Sequence, residues 1–323
     1  MMIVLDDSSN SVKRAADFLR RGKIVAFPTE TVYGLGANVF NARAVERIYE
    51  VKGRPKDNPM IVHICFISQL NDLVKEVSND AKKLIKSFWP GPLTLVFDRS
   101  EKVPSVVSAG LDSVAVRMPS HRVALKILKE AGFPIAAPSA NISGRPSATS
   151  AAHVLEDFKD KIEAVVDGGR AIYGLESTVL DVRKKPYLIL RPGAITKEDI
   201  EKKIGKRVFY WRRGEVRAPG MKYKHYSPRA EVVVLDMPVL KFIKFVENYK
   251  AENSEKRVVA IGVGNTIKRG YYFYDSVDKL AVELFSVFRK CDSEGVNRIF
   301  VKSVKEKGIG VAVMNRIKKA AGV

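Results

Sequence analysis

Short apolar runs alternate with amphipathic stretches along the first part of the chain. "KIVAFPT" has the length and composition of a buried strand, whereas "ARAVERIYEV" spaces its apolar residues as one face of a helix does. Thr196 can cap the last predicted helix of this region and Gly205 can end it. The predicted strands are 23–29, 59–66, 92–98, 112–119, 133–141, 164–169, 177–182 and 187–193, and the predicted helices are 42–51, 79–89, 120–131 and 196–205.

The alternation restarts after residue 230. Strands and helices that alternate in this way are typical of a small Rossmann-like unit. We therefore predict an α/β fold, with a larger N-terminal α/β domain built on a twisted mixed sheet and a smaller Rossmann-like α/β domain after it. In this second region the predicted strands are 231–236, 257–263, 270–275 and 297–304, and the predicted helices are 238–250, 277–290 and 308–320.

Residues 206–230 show no clear period and separate the two patterned regions. They contain eight basic residues, one acidic residue and five large aromatic residues. A segment that only connects would be rich in Gly, Ser or Pro, so this composition indicates a segment that lies against a surface. The predicted organisation is a catalytic domain over 1–205, a basic linker over 206–230 and a C-terminal domain over 231–323.

The composition excludes several classes of protein. A length of 323 residues fits two globular domains. No apolar run approaches the roughly 20 residues that cross a bilayer and no signal-peptide pattern opens the chain, which favours a cytoplasmic location. Cys65 and Cys291 are far apart, so neither a disulfide framework nor a structural zinc site is expected. Four histidines without an H-E-x-x-H motif argue against a histidine-based catalytic metal.

The formal net charge is +20, which favours binding of polyanions such as nucleotides or RNA. A high charge also suits a soluble or heat-stable surface, and for the whole chain both interpretations stay open. The excess is densest in 206–230, where we favour a functional reason.

A common phosphate-binding motif and a common motif for a catalytic nucleophile are both absent from the sequence. The chain has neither the P-loop pattern G-x-x-x-x-G-K-[ST] nor the nucleophile elbow G-x-S-x-G. "GLGANV" (34–39) and "GVGNTI" (262–267) begin like a dinucleotide fingerprint but lack its last glycine. We interpret both as tight turns.

The stretch "FPTETVYGLG" places Thr29, Glu30 and Thr31 directly after an apolar strand. Hydroxyl groups at such a point can hold a small polar ligand, or they can satisfy the backbone of their own turn. The residues alone leave both possibilities open.

The stretch "VKGRPKDNPMIVHI" holds cations beside a predicted strand. Lys52 offers a point charge and Arg54 a planar fork that suits phosphate oxygens, and two prolines reduce the entropy that the loop would lose on binding an anion. Asn58 adds an amide. The alternative is that the cations only complement the dipole of the preceding helix, and His63, alone in a strand, would ordinarily be a core histidine.

Polar residues also follow the strand in "APSANISGRPSATS". Ser139 and Asn141 are two residues apart, so an extended chain would point both side chains the same way. Arg117, Ser177 and Arg191 stand at the ends of other strands. An ordinary Ser/Pro/Gly loop and solvated edge arginines are the alternatives.

Taken together, these segments resemble the YrdC-like family in its two-domain form. The signature of that family is Lys-x-Arg in one loop and Ser-x-Asn in another, here Lys52, Arg54, Ser139 and Asn141. "FPTETVYGLG", "WPGPLTLV", "RMP", "STV" and "RPG" follow in the family's order. "KHYSP" (224–228), followed by a second α/β unit, matches the two-domain form.

The resemblance implies an enzyme, a nucleotidyltransferase that forms threonylcarbamoyl-AMP and pyrophosphate from L-threonine, bicarbonate and ATP. A separate threonylcarbamoyl transferase complex would then modify tRNA, and a weak contact of this chain with tRNA stays open. Mg²⁺ would accompany ATP, held mainly by phosphates and water rather than by protein ligands. This chemistry needs positioning and charge stabilisation more than covalent catalysis, which suits loops rich in cations and hydroxyls.

The resemblance also implies roles for single residues. Arg117 would pair with the threonine carboxylate, and the linker would close over ATP. The catalytic positions are Lys52, Arg54, Ser139 and Asn141. The ATP contacts are Arg54, Asn58, Ser113, Ser139, Ser147, Arg191 and Tyr226. The threonine contacts are Thr31, His63, Arg117, Ala137 and Ser177.

Two other functions fit parts of the pattern. A non-enzymatic protein that binds double-stranded RNA or matures ribosomes would also present basic concave loops. A carbamoyl-transfer maturation factor can contain a YrdC-like module, but it would carry extra zinc-type cysteine pairs and an acylphosphatase module. Two isolated cysteines and 323 residues argue against the latter.

Overall fold

The computed structural model describes residues 2–211, 225–264 and 270–323. Most strands are short and all lie in one of two sheets. The strands are β1 (Ile3–Leu5), β2 (Val25–Phe27), β3 (Gly34–Asn38), β4 (Ile61–His63), β5 (Leu93–Asp98), β6 (Ser113–Arg117), β7 (Ile135–Ala136), β8 (Ala164–Val166), β9 (Thr178–Asp181), β10 (Leu188–Arg191), β11 (Phe209–Tyr210), β12 (Glu231–Leu235), β13 (Val258–Val263), β14 (Tyr271–Tyr274) and β15 (Arg298–Lys302).

The helix α7 carries the two caps that its sequence predicts. In α7, Thr196 and Asp199 bond each other's backbone as a capping box, and Gly205 ends the helix with a φ of 68°. The helices are α1 (Ser9–Arg20), α2 (Ala42–Lys52), α3 (Leu70–Leu73), α4 (Asn79–Phe88), α5 (Arg122–Ala131), α6 (Ala151–Phe158), α7 (Lys197–Ile204), α8 (Val239–Glu252), α9 (Val277–Ser293) and α10 (Ile309–Ala321).

The larger sheet has, within the described residues, eleven strands in the order β1-β8-β2-β3-β7-β4-β6-β5-β9-β10-β11. It is mixed, since β4 runs parallel to β6 and antiparallel to β7. Helices α2, α4, α6 and α7 form the main core on one face, and α1 and α5 cover β1, β8, β2 and β7 on the other. Ala26 of β2 points to the first core and its neighbours Val25 and Phe27 to the second, as strand alternation requires.

Helices α1 and α5 leave part of their face of the sheet uncovered. There β4, β5, β6, β9 and β10 carry a smaller apolar cluster, against which the half-buried Trp211 packs. Trp211 directly follows β11, so the chain lies on this part of the sheet where β11 ends. We call the first eleven strands, together with their helices, the first unit.

The second unit (β12 to α10) contains, as far as the described residues show, four parallel strands in the order β12-β15-β13-β14. Helix α8 packs on one face, and α9 and α10 pack on the other. The predicted α/β architecture, a large mixed sheet followed by a smaller α/β unit, is confirmed. No helix of the described ranges is long and apolar enough to span a bilayer.

Two predictions about local structure are wrong. "GLGANV" is not a tight turn, because Gly34–Asn38 form β3 between β2 and β7. Its glycines allow close packing instead, since a Cβ at Gly36 would lie 2.6 Å from the ring of Phe27. The predicted strand 133–141 is a strand only at Ile135–Ala136. In "GVGNTI", residues 265–269 lie outside the described residues.

Candidate active site

A hollow lies on the uncovered part of the larger sheet. Ile61 and His63 are two residues apart on β4, and His63 is level with Arg117 on β6, so all three side chains point to the same side. The volume of the hollow, including its open mouth, is about 690 Å³. The residues predicted from the sequence that line it are Thr31, Lys52, Arg54, His63, Arg117, Ala137, Ser139, Asn141, Ser147, Ser177, Arg191 and Tyr226.

Lys52 joins the two signature loops. Helix α2 ends at Lys52, and Gly53 turns the chain with a φ of 59°, which leaves the lysine side chain fully buried. Its Nζ donates to the carbonyl oxygens of Ser139 (2.6 Å) and Asn141. Burial, and then the charge of Arg54, lower the pKa of Lys52 well below its ordinary value. An anion in the hollow would therefore stabilise the ammonium that holds the Ser139–Asn141 loop.

Arg54 is oriented by its own loop. Its Nε donates to the carbonyl oxygen of Asn58 (2.9 Å), and its Nη2 donates to Asn58 Oδ1 (2.7 Å) and to the carbonyl of Pro59 (2.7 Å). Burial lowers the pKa of Arg54 to about 10, which leaves it charged at neutral pH. These bonds go to neutral oxygens, so the charge of Arg54 stays available to an anion.

Arg117 forms a buried ion pair that the sequence reasoning did not single out. Its Nη2 lies 2.7 Å from Oε1 of Glu30, and both side chains are buried. Burial opposes ionisation of Glu30, but the charge of Arg117 and the hydrogen bonds to the carboxyl together hold its pKa below the usual value. Nη1 donates to Thr31 Oγ1 (2.8 Å) and Nε to the carbonyl of Gly91 (3.2 Å). These contacts fix a planar guanidinium beside the hollow, and such a group suits a carboxylate.

Thr29 and Thr31, which follow β2, make different contacts. Thr29 satisfies its own turn, since its hydroxyl donates to the carbonyl of Val32 (2.6 Å) and accepts from the N–H of Thr31 (3.2 Å). Thr31 accepts from Arg117, and both threonines line the hollow.

His63 is a neutral, partly unsatisfied group on the floor of the hollow. Burial, and then the charge of Arg117, lower the pKa of His63 to about 3. The ring meets Phe27 edge-on, with centroids 6.1 Å apart, and its Nδ1 has no hydrogen-bond partner among the described residues. A ligand hydroxyl or amine could therefore bond this nitrogen. Ala137, whose N–H donates to the carbonyl of Ile61 (2.8 Å), keeps the neighbouring wall small.

Ser139 and Asn141 face the hollow for a reason different from the one we expected. The chain between them is not extended, because the N–H of Asn141 donates to the carbonyl of Ser139 (3.0 Å) in a tight turn. Nδ2 of Asn141 donates to the carbonyls of Ile142 and Arg145. Its Oδ1 has no partner within the described part of the chain, so an acceptor oxygen is left at the hollow.

The "STV" and "RPG" segments meet at one wall. Arg191 donates from Nε to the carbonyl of Ser177 (3.0 Å) and from Nη2 to its hydroxyl (3.1 Å). A Cβ on Gly193 would lie 2.3 Å from the backbone nitrogen of Thr178, so only glycine allows this approach. Arg191 is therefore a fixed cation at the end of β10.

His225 and Tyr226 form the roof. Tyr226 is buried with a φ of 66°, which is uncommon for a bulky residue and indicates that its contacts hold it. Its ring stacks on Phe285 of α9, with centroids 5.3 Å apart. With the roof in place, only about 60 Å³ of the hollow can hold water-sized groups, far below the roughly 300–1,000 Å³ of ligand pockets. The roof must therefore move before a nucleotide can enter.

Not every predicted residue lies in the hollow. Asn58 and Ser113 are buried but do not line it. Asn58 precedes β4 and bonds Arg54, whereas Ser113 is the first residue of β6, which runs parallel to β4. Of the predicted linker, residues 212–224 lie outside the described residues. Sequence reasoning missed Glu176 and His225, which do line the hollow, although "LESTV" and "KHYSP" contained both.

The charge of the site favours an anion. Arg117 is paired with Glu30, whereas the hydrogen bonds of Lys52, Arg54 and Arg191 within the described ranges go to neutral oxygens. Glu176 also lines the hollow, so the cations near it outnumber the acidic groups without being fully neutralised. Buried positive charge of this kind favours the binding of an anion.

Comparison with known proteins agrees with this geometry. The family model described as "Telomere recombination" (Sua5, YciO and YrdC) matches residues 17–193, and the model described as "Threonylcarbamoyl-AMP synthase, C-terminal domain" matches residues 195–322. The curated threonylcarbamoyl-AMP synthase of Pyrococcus abyssi is 51% identical over 96% of this chain and 94% of that protein. The synthase of Bacillus subtilis is 42% identical over 98% of this chain and 95% of that protein.

Solved structures show the same arrangement. The crystal structure of Pyrococcus abyssi Sua5 in complex with L-threonine matches with a TM-score of 0.94 and 49% identity, over 100% of this chain and 98% of that chain. The chain therefore belongs to the Sua5–YciO–YrdC family, among the members that carry the C-terminal domain of threonylcarbamoyl-AMP synthases.

Proposed function

We propose that this protein synthesises threonylcarbamoyl-AMP from L-threonine, bicarbonate or carbon dioxide, and ATP, with release of pyrophosphate. The observation that carries the proposal is the convergence of Lys52, Arg54, Arg117 and Arg191 on one hollow with a neutral histidine on its floor. The relatives named above support this enzyme over the RNA-binding alternative.

The reaction has two bond-forming steps. The amine of threonine attacks the carbon of bicarbonate or carbon dioxide and gives a carbamate, with loss of water when bicarbonate is used. A carbamate oxygen then attacks the α-phosphorus of ATP, the bond to the β-phosphate oxygen breaks, and pyrophosphate leaves. Neither step needs a protein nucleophile, so alignment and charge stabilisation can supply most of the catalysis.

Threonine occupies the part of the hollow nearest Arg117 in this proposal. The guanidinium of Arg117 binds its carboxylate, and Thr31 and Ser177 border the same space with the small Ala137. Nδ1 of His63, which lacks a partner among the described residues, bonds the hydroxyl or amine. A site that hydrogen-bonds a substrate hydroxyl rejects valine strongly, because the buried group would be left unpaired.

ATP occupies the part nearest Lys52, Arg54 and Arg191, whose hydrogen bonds within the described residues go to neutral oxygens. These three cations face its phosphates in the proposal, and Asn58, which bonds Arg54, and Ser113 contact the nucleotide further out. Mg²⁺ would enter with the triphosphate, and Oδ1 of Asn141, which has no partner among the described residues, is an oxygen donor of the kind that Mg²⁺ prefers. The ion would offset phosphate charge when bound.

The linker closes this site in our proposal. Trp211 lies on the sheet before the hollow, and His225 and Tyr226 cover it, which supports a segment 206–230 that crosses it between a catalytic domain (1–205) and a C-terminal domain (231–323). Closure would exclude water, which would otherwise hydrolyse the carbamate and the mixed anhydride. The product would pass to a threonylcarbamoyl transferase complex that modifies tRNA in the cytoplasm.

The test is pyrophosphate release from ATP by the full chain, with threonine and bicarbonate each omitted in turn, and detection of threonylcarbamoyl-AMP by mass spectrometry. We expect release only when all three substrates are present, and at least a hundredfold lower kcat/KM with valine than with threonine. Release that is independent of threonine would overturn the proposal, as would tight, salt-sensitive RNA binding without any release.

A further inference from the structure

The second unit reaches into the wall of the hollow through Arg316 of α10. This side chain is fully buried, and its Nε donates to Oε2 of Glu176 (2.9 Å) while its Nη1 donates to the carbonyl of Pro192 (2.9 Å). The other carboxylate oxygen of Glu176 accepts from the hydroxyl of Ser147 at 2.5 Å. A continuous chain of contacts therefore runs from α10 to Ser147 in the hollow.

A second arginine holds the neighbouring residue. Nη2 and Nε of Arg289, on α9, donate to the carbonyl of Pro146 at 2.7 and 3.1 Å. Nη2 also bonds Asp157 of α6 at 2.6 Å, and both side chains are buried. Two arginines from different helices of the second unit thus fix adjacent positions, 146 and 147, in the loop that follows the Ser-x-Asn signature.

The protonation of this chain of contacts decides what Ser147 can offer a ligand. Burial opposes ionisation of Glu176, but the charge of Arg316 and then that of Arg191 hold the pKa of its carboxyl below the ordinary value. An ionised carboxylate only accepts hydrogen bonds, so the hydroxyl proton of Ser147 is committed to Glu176. Ser147 therefore presents acceptor lone pairs to the hollow, and the nearby carboxylate repels phosphate oxygens.

We propose that the second unit is part of the nucleotide site, with Arg316 and Arg289 as positioning residues that hold Ser147 and Glu176 to accept hydrogen bonds from the nucleoside part of ATP. Ribose hydroxyls and the adenine amino group are donors, whereas phosphate oxygens are not. The phosphates are left to the cationic side chains of Lys52, Arg54 and Arg191, which also line the hollow. This inference rests on the function proposed above and assigns the second unit a role within it.

The test uses full-length Arg316→Gln, Glu176→Gln and the double variant that carries both changes. Single variants leave one buried charge without its partner, which can prevent folding, whereas the double variant replaces the pair by neutral amides. Arg298→Gln is the matched control, because Arg298 forms a partly exposed pair with Glu231 in the same unit. Thermal melting identifies the folded variants, and KM for ATP and threonine is measured separately by pyrophosphate release.

We expect each folded single variant to raise KM for ATP about tenfold or more, because the nucleoside loses a hydrogen bond to the group that Glu176 and Arg316 position. KM for threonine should stay within about twofold, and the double variant should show less than the sum of the single effects, because both changes break one contact chain. Competitive inhibition by adenosine should weaken about tenfold in the variants, whereas inhibition by inorganic pyrophosphate should not change.

An unchanged KM for ATP in the folded double variant would overturn the inference, and so would equal rises in KM for ATP and threonine, which a purely structural role predicts. Weaker pyrophosphate inhibition would place Ser147 at the phosphates and would also overturn it. If the wild-type chain releases no threonine-dependent pyrophosphate, direct calorimetric titration with ATP and adenosine tests the same residues. The proposed function and this inference can therefore fail separately.

Discussion

Lys52 offers the sharpest test of how the two signature loops cooperate. Its ammonium bonds the carbonyls of both Ser139 and Asn141. Lys52→Met keeps the length and the apolar stem but removes both bonds and the charge. Hydrogen bonds from a charged group contribute about 1.5–3 kcal/mol each, so about 3–6 kcal/mol is lost. Burying an ammonium costs several kcal/mol, which the substitution relieves. We therefore expect the free energy of unfolding to change by less than about 2 kcal/mol.

Activity should respond far more than stability. The variant loses the cation that faces the phosphates in the proposed complex, and also the hydrogen bond that positions Asn141. If these together stabilise the transition state by about 3 kcal/mol, kcat/KM falls by a factor of about 100 or more. The assay is steady-state pyrophosphate release, combined with urea unfolding. Lys56→Met is the matched control, because Lys56 lies exposed in the same loop.

Two results would refute this reasoning. If Lys52→Met keeps more than about a tenth of the wild-type kcat/KM, the charge of Lys52 does not act in the reaction. If it loses more than about 4 kcal/mol of unfolding free energy, the tie is mainly structural and the loss of activity follows from misfolding.

The remaining predictions concern Arg117 and the buried histidines. Arg117→Lys keeps the charge but loses the planar fork, so KM for threonine should rise about tenfold to a hundredfold while KM for ATP changes less than about twofold; equal rises would contradict the assignment of Arg117. Burial lowers the pKa of both His63 and His225 from 6.5 to about 3. Below pH 6.5 these histidines are protonated in the unfolded chain but stay neutral in the folded chain, so the free energy of unfolding falls as the pH drops. At pH 5 each histidine should cost about 2 kcal/mol relative to neutral pH. Urea unfolding at pH 7 and pH 5, with His63→Gln as a variant of smaller pH dependence, measures this; an equal loss in the variant would be the contrary result.

Local features of the chain were predictable because their causes are local. Periodicity identified α2 and α4, and the residues around α7 predicted both of its ends. The Lys-x-Arg and Ser-x-Asn spacings identified residues that do line one hollow. "GLGANV" misled because close packing against Phe27, rather than turning, explains its glycines.

Partners of the site residues were not predictable from the sequence, because they depend on which strands and helices meet. Glu30 lies between Thr29 and Thr31, whose hydroxyl groups suggested a ligand site. The structure instead pairs Glu30 with Arg117, which is 87 positions later in the chain. Strands β3, β7 and β4 lie between β2 and β6 in the sheet, so the contact exists because the segment that follows β2 reaches Arg117 at the end of β6. Arg316 gave a weak signal, a charge in the apolar stretch "IGVAVMNRIKKAA", but nothing local names Glu176 as its partner.

The contacts between the units also determine how the hollow must open. If the second unit moved away as a body, the buried side chains of Arg289 and Arg316 would lose their ion pairs with Asp157 and Glu176. Asp157 would keep its pair with Arg145, but both arginines would lose a buried carboxylate partner. Breaking a buried pair in this way costs about 3–5 kcal/mol, so breaking both would consume much of the stability of a typical domain. Tyr226, by contrast, is held by ring stacking on Phe285 and by the guanidinium of Arg316, which lies 5.4 Å from the centroid of its ring. Stacking contributes about 0.5–1.5 kcal/mol beyond the buried area, and the cation–π contact about 0.5–2 kcal/mol. Entry of ATP should therefore displace the roof while both units stay in place.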